Sequence, residues 1–90
     1  MNNKRRKDIN TLIDKIQSLQ SDIRLLSEEL EEIRNEEEEY LYNIPENLQS
    51  SERYEIAENA VESLDDAFNA LEEALSQMDD AVGCMEQATE

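Results

Sequence analysis

The sequence predicts an all-α fold: an antiparallel helical hairpin of the coiled-coil type, expected to dimerise into a four-helix bundle. Three observations carry the prediction. Apolar residues recur at alternating spacings of three and four through two long segments, one proline-containing break separates them, and the 90 residues hold a single Gly and a single Pro. A sheet of this size needs several turns rich in Gly, Pro, Asn and Asp, so a β fold is excluded. Ninety residues make one domain. Its expected parts are a basic N-terminal arm at 1–7, a helix at 8–42, a loop at 43–50 and a second helix at 51–87.

The first helix is read from Ile9, Leu12, Ile16, Leu19, Ile23, Leu26, Leu30 and Ile33. These positions alternate 3 and 4 apart through four heptads, the pattern of a coiled-coil seam. With Ile9 assigned to heptad position a, Leu or Ile fills every d position from Leu12 to Ile33, and Ile13 at e widens the stripe. Glu37 and Tyr40 take the next a and d positions. The seam is therefore expected to loosen towards the loop.

In the second helix Ala57, Leu64, Leu71, Met78 and Met85 occupy a, and Ala60, Ala67, Ala74, Ala81 and Ala88 occupy d. Val61, Phe68, Leu75 and Val82 stand at e, giving a face wider than a two-stranded seam requires. Alanine every seven residues lets another helix approach at the short end of the usual range, about 8 Å between axes. The alanines are then expected to meet one neighbour and the large e residues another. This assigns Ala60, Val61, Ala67, Phe68, Ala74, Leu75, Ala81 and Val82 to the dimer interface.

Between the two runs, Pro45 disfavours helical backbone at Ile44 and ends the first helix. Eight residues suit an antiparallel return. Ser50 or Ser51 can cap the second helix, with Glu52 and Glu55 near its positive end. Ile44 and Leu48 are expected to tuck onto the bundle end, with Tyr54 partly buried beneath the loop. Gly83 could stop the second helix, but Met85 and Ala88 continue its phase.

Composition restricts the function. With no His, no Gly-rich loop and one Cys, the usual catalytic and transition-metal constellations are missing, so the expectation is a protein that is not an enzyme and needs no cofactor or metal. A calcium loop of the Asp-x-Asp-x-Asp-Gly type is absent too. Twenty-four acids against 8 bases give a net charge of −16. Such a charge opposes direct nucleic-acid binding and anionic membranes and favours a basic partner. No apolar run approaches a membrane span or a signal-peptide core, and the lone Cys84 fits a reducing compartment. The expected location is cytoplasmic, with Cys84 as a half-buried filler.

The acids of the second helix fall only at b, c and f and form one outer face. Beyond residue 7 the balance is 4 bases against 24 acids, or −20. On a rod of roughly 50 Å this is about one charge per 2.5 Å, doubled in a side-by-side dimer, against about one per 1.7 Å in duplex DNA. Mimicry of DNA towards a basic, nucleic-acid-binding protein is the leading functional expectation. The alternative is a homo-oligomeric scaffold or interaction module acting through its apolar face.

Candidate partner-binding residues are Glu36, Glu37, Glu38, Glu39, Tyr40, Tyr42, Asp65, Asp66, Glu72 and Glu73. Glu36 to Glu39 oppose the negative end of the first helix's dipole, which gives them no stabilising role there, and tyrosine is a common interface anchor. Lys4, Arg5, Arg6 and Lys7 are expected to lie beside Asp79, Asp80 and Glu86 and the C-terminal end of the second helix.

Residues 36–75 carry Glu36 to Glu39, Tyr40, the turn Asn43-Ile44-Pro45-Glu46-Asn47-Leu48, Ser51-Glu52-Arg53 and then Ala-rich heptads. This segment, less than half the chain, resembles small acidic helical-hairpin proteins of bacteriophages and prophages of Gram-positive bacteria. The resemblance implies a setting in the host bacterial cell. It assigns no functional residues. Small acidic phage proteins often inhibit host DNA-handling or defence proteins, which adds weight to mimicry by association.

Overall fold

A computed structural model describes residues 1–90. Helix α1 runs Asn3–Tyr42, a 3-10 turn covers Glu46–Leu48, and helix α2 runs Glu52–Ala88. The two helices pack against each other as a hairpin with extents of 70 × 16 × 13 Å. Its radius of gyration is 20.3 Å, against about 12 Å for a compact chain of this length.

Helix α1 begins at Asn3, so residues 3–7 of the expected basic arm belong to the first turns of the helix. Asn2 supplies the reason: its side-chain oxygen accepts a 2.8 Å hydrogen bond from the Arg5 amide and caps the helix. Of the arm's expected partners, the C-terminal end of α2 is met and the acids are not. Arg6 donates from Nε to the Thr89 carbonyl at 3.1 Å, an unsatisfied acceptor at the end of α2. No ion pair forms with Asp79, Asp80 or Glu86. The rod exceeds the expected 50 Å because α1 alone has 40 residues.

At the other end, Pro45 starts the 3-10 turn and the Leu48 amide donates to the Pro45 carbonyl at 2.9 Å. Ser51 is the N-cap of α2 and accepts from the Tyr54 amide. Ile44 is buried, whereas Leu48 is exposed, so only one of the two loop residues tucks in. Leu41, Ile44, Ala57 and Val61 form a buried cluster with Tyr54 packed on it. The expected loosening near the loop is therefore corrected: this end holds a closed apolar cluster. Leu41 stands at e, so the interruption of a and d by Glu37 and Tyr40 does not reach it.

That cluster typifies the whole seam, which uses a and e on both helices in place of a and d. In α1 the buried and half-buried positions include Ile9, Ile13, Ile16, Gln20, Ile23, Ser27, Leu30, Arg34 and Leu41. In α2 they include Ala57, Val61, Leu64, Phe68, Leu71, Leu75, Met78 and Val82. Side-chain size on α2 favours this choice. Facing α1 with e buries Val, Phe and Leu, each with far more apolar area to remove from water than the Ala at d.

The e half of the expected dimer interface is corrected accordingly. Val61, Leu75 and Val82 are buried within the hairpin and Phe68 is half-buried, so the e column has no need of a second chain. Ala67 and Ala81 are exposed, and Ala60 and Ala74 lie half-buried at the margin of the seam. Rotating α1 to present e turns Leu12, Leu19, Leu26 and Ile33 outward, where they are 49 to 58% exposed.

Candidate interaction surfaces

Right-handed helices running antiparallel carry the same heptad letter on the same flank of their seam. With a and e facing inward, both b columns lie on one side of the hairpin and both d columns on the other. The hairpin thus has a polar side and an apolar side.

The polar side is built around three cross-helix contacts. Gln20 donates from Nε2 to Asp79 Oδ1 at 2.7 Å, Ser27 donates from Oγ to Glu72 Oε1 at 3.3 Å, and Arg34 donates from Nε to Asp65 Oδ1 at 2.7 Å. Each residue of α1 stands at e and each acid at b, seven residues apart on both helices, and every pair of numbers adds to 99. The ladder sets the register of the hairpin. Arg34 also pairs with Glu38 one turn on. The hydrogen bonds to Asp65 and then to Glu38 raise the Arg34 guanidinium above the ordinary arginine value.

Several candidate binding acids therefore have internal roles. Asp65 holds Arg34, Glu72 holds Ser27 and Glu38 holds Arg34. Glu36, Glu39, Asp66 and Glu73 are exposed without an ion-pair partner, and Glu37 is half-buried. Tyr42, at position f, is exposed although its neighbours Leu41 and Ile44 are buried against α2. Tyr40 is engaged by α2: its hydroxyl accepts from Arg53 Nε, and the guanidinium carbon lies 5.3 Å from the ring centroid. This cation–π contact joins the two helices beside the loop.

Two open grooves flank Phe68 on the polar side. One is lined by Glu31, Arg34, Asn35, Asp65 and Phe68, and the other includes Arg24, Ser27, Glu28, Glu72 and Leu75. Small Ser27 leaves room beside the Phe68 ring. Cys84 is exposed, a correction to the expected half-buried filler, because its g position lies outside an a/e seam.

The apolar side carries Leu12, Leu19, Leu26 and Ile33 from α1 beside Ala60, Ala67, Ala74, Ala81 and Ala88 from α2. Its outer margin on α2 is the g column, Ile56, Ser63, Ala70, Gln77 and Cys84. No acid interrupts either α2 column. Four large aliphatic residues exposed in one row exceed the scattered apolar exposure of an ordinary surface and mark an interaction face.

Sequence reasoning missed the ladder and the outward d column. Gln20, Ser27 and Arg34 were legible as polar residues seven apart, matched by Asp65, Glu72 and Asp79 at the same spacing. No helix is long and apolar enough to cross a membrane. The chain matches no known protein family, and no curated protein or solved structure is similar to it.

Proposed function

We propose that this protein is a non-enzymatic acidic rod that binds a basic, nucleic-acid-binding protein and blocks it by occupying the surface meant for phosphates. One observation carries the reading: only Glu38 and Asp65, both held by Arg34, form ion pairs within the chain. The remaining acids keep their charge available to a partner.

Linear charge density supports a dimer as the working form. A net −16 along 70 Å is roughly one charge per 4 Å in one chain. Two rods side by side bring this to roughly one per 2 Å, close to the about 1.7 Å of duplex DNA. The resemblance of residues 36–75 to phage and prophage proteins favours a target in an infected bacterial cell. Within that reading Glu36, Glu39, Asp66, Glu73 and Tyr42 are the free contacts, while Asp65, Glu72 and Glu38 serve the hairpin first.

The test is an affinity capture by the full chain from nuclease-treated bacterial lysate at low and moderate salt. A basic DNA- or RNA-binding protein retained at low salt, released by salt and competed by DNA is the expected result. A retained protein indifferent to both salt and DNA would refute it. Such a result would favour the second reading, a scaffold acting through exposed Leu12, Leu19, Leu26 and Ile33.

A further inference from the structure

The apolar side of the hairpin has the area, the shape and the charge pattern to receive one particular occupant. We infer that it is covered by the same side of a second copy, with a two-fold axis running along the rod, so that the large d column of each α1 packs into the alanine column of the other copy's α2. This rests on the dimeric part of the function proposed above and specifies its face and orientation.

Area comes first. The chain exposes 6771 Å², whereas a compact protein of 10.5 kDa exposes about 5,400 Å². The surplus of roughly 1,300 Å² exceeds the about 800 Å² that each partner buries in an ordinary stable interface. Only nine residues of 90 are buried in the single chain. Of the large hydrophobic residues left exposed, Leu12, Leu19, Leu26 and Ile33 form one row, with Ile56 at the margin of the same side, while Leu25 and Tyr42 lie off it.

Shape selects a second copy. Large residues line one half of the face and alanines the other, both repeating every seven residues. A two-fold axis along the rod places each α1 against the other copy's α2 without changing any residue's height. The ladder sets those heights, since position i of α1 lies near position 99 − i of α2. Leu12 then falls level, within one residue, with Ala88 of the second copy, Leu19 with Ala81, Leu26 with Ala74, and Ile33 with Ala67. Each large side chain thus faces one small one, which lets the two helices approach closely. A two-fold across the rod would set the large column against itself and alanine against alanine. One seam would be too wide and the other too narrow for the same four helices.

Charge agrees. The g column of α1 contains Asp8, Lys15, Asp22, Glu29 and Glu36, four acids and one base, which would border the other copy's α2. Their neighbours there are Ile56, Ser63, Ala70, Gln77 and Cys84, without a single acid, in a helix whose b, c and f columns carry eleven. Like-charge contact is thereby avoided across the seam, as an isologous interface requires.

The experiment measures mass and orientation on the full chain. Sedimentation equilibrium is expected to give a dimer, and Leu19→Glu with Leu26→Glu is expected to give a monomer with unchanged helix content. Ala67→Gln, which enlarges one of the small residues without adding charge, is expected to weaken association at least tenfold. For orientation, a spin label is placed on Asn47→Cys, at the loop, in a Cys84→Ser background. The axis along the rod puts the two labels at one end, within about 30 Å given helices about 8 to 10 Å apart. Labels separated by nearly the 70 Å rod length would overturn this packing and leave dimerisation standing. A monomeric wild type would overturn both, and a dimer indifferent to the Leu19, Leu26 and Ala67 substitutions would overturn the assigned face.

Discussion

Gln20 and Asp79, 59 residues apart, are joined by a hydrogen bond of 2.7 Å from Nε2 to Oδ1, although Gln20 is only 3% exposed. A glutamine buried in a narrow two-helix seam displaces an apolar side chain that would have contributed more burial. Its use is positional. Together with Ser27 and Glu72, and with Arg34 and Asp65, it matches one heptad of α1 to one heptad of α2. A slip of the hairpin by a whole heptad would keep most apolar contacts, but the pairs at the ends of the ladder would lose their partners.

Gln20→Leu tests this division between register and stability. Asp79 is exposed, so losing its donor leaves it solvated and strands no buried group. Thermal melting is expected to show a variant as stable as the parent or up to about 1 kcal/mol more stable, as when a buried polar contact is replaced by an apolar residue of similar size. Hydrogen exchange along α1 is expected to rise, reporting looser register.

The seam assignment predicts opposite behaviour for two leucines. Leu75 is buried at e of α2, so Leu75→Ala should destabilise the hairpin by about 2 kcal/mol, the low end for a leucine truncation because the core is thin. Leu26 is exposed at d of α1, and Leu26→Ala should change stability by less than about 0.5 kcal/mol at concentrations that hold the chain monomeric. Urea denaturation at low protein concentration checks both. Equal losses would restore the a/d seam.

Gly83 lies within α2 at an exposed position, and a Cβ built there meets nothing within 4 Å. Glycine inside a helix costs about 1 kcal/mol relative to alanine through its greater backbone freedom when unfolded. Gly83→Ala should therefore raise stability by about that amount without altering association, since position f points away from both faces. A thermal melt beside a sedimentation run measures the two effects separately.

The break at Pro45, the two heptad runs and the Ser51 cap were all readable from residue type and spacing, because each acts through local backbone preference or a helical period. The choice between d and e was not. It depends on which pair of columns, one from each helix, removes more apolar area jointly. α1 alone favours d, with Leu12, Leu19, Leu26 and Ile33, whereas α2 alone favours e, with Val61, Phe68, Leu75 and Val82. Only their combination decides, and the polar residues at e of α1 do not veto it because α2 carries acids at b to receive them. For the same reason Asp65 and Glu72 looked like free surface charge until their partners on α1 were placed. The start of α1 was misplaced for a simpler reason: Asn2 as a cap was masked by the basic tetrad behind it.

Salt separates the two surfaces by the sign of its effect. Bringing two chains of −16 together is opposed by long-range repulsion, and raising ionic strength from 0.1 to 1 M shortens the screening length from about 10 to about 3 Å. Apolar contact through Leu12, Leu19, Leu26 and Ile33 is not screened. Self-association should therefore tighten several-fold over that range. Binding of a basic protein to the acids at b, c and f should weaken steeply over the same range, because its attraction is the screened quantity. Sedimentation equilibrium of the chain alone and titration with a captured basic partner provide the two curves. Opposite slopes would assign the apolar side to the second copy and the acidic side to the partner. Parallel slopes would mean that one surface serves both, and the two-faced reading of the hairpin would fail.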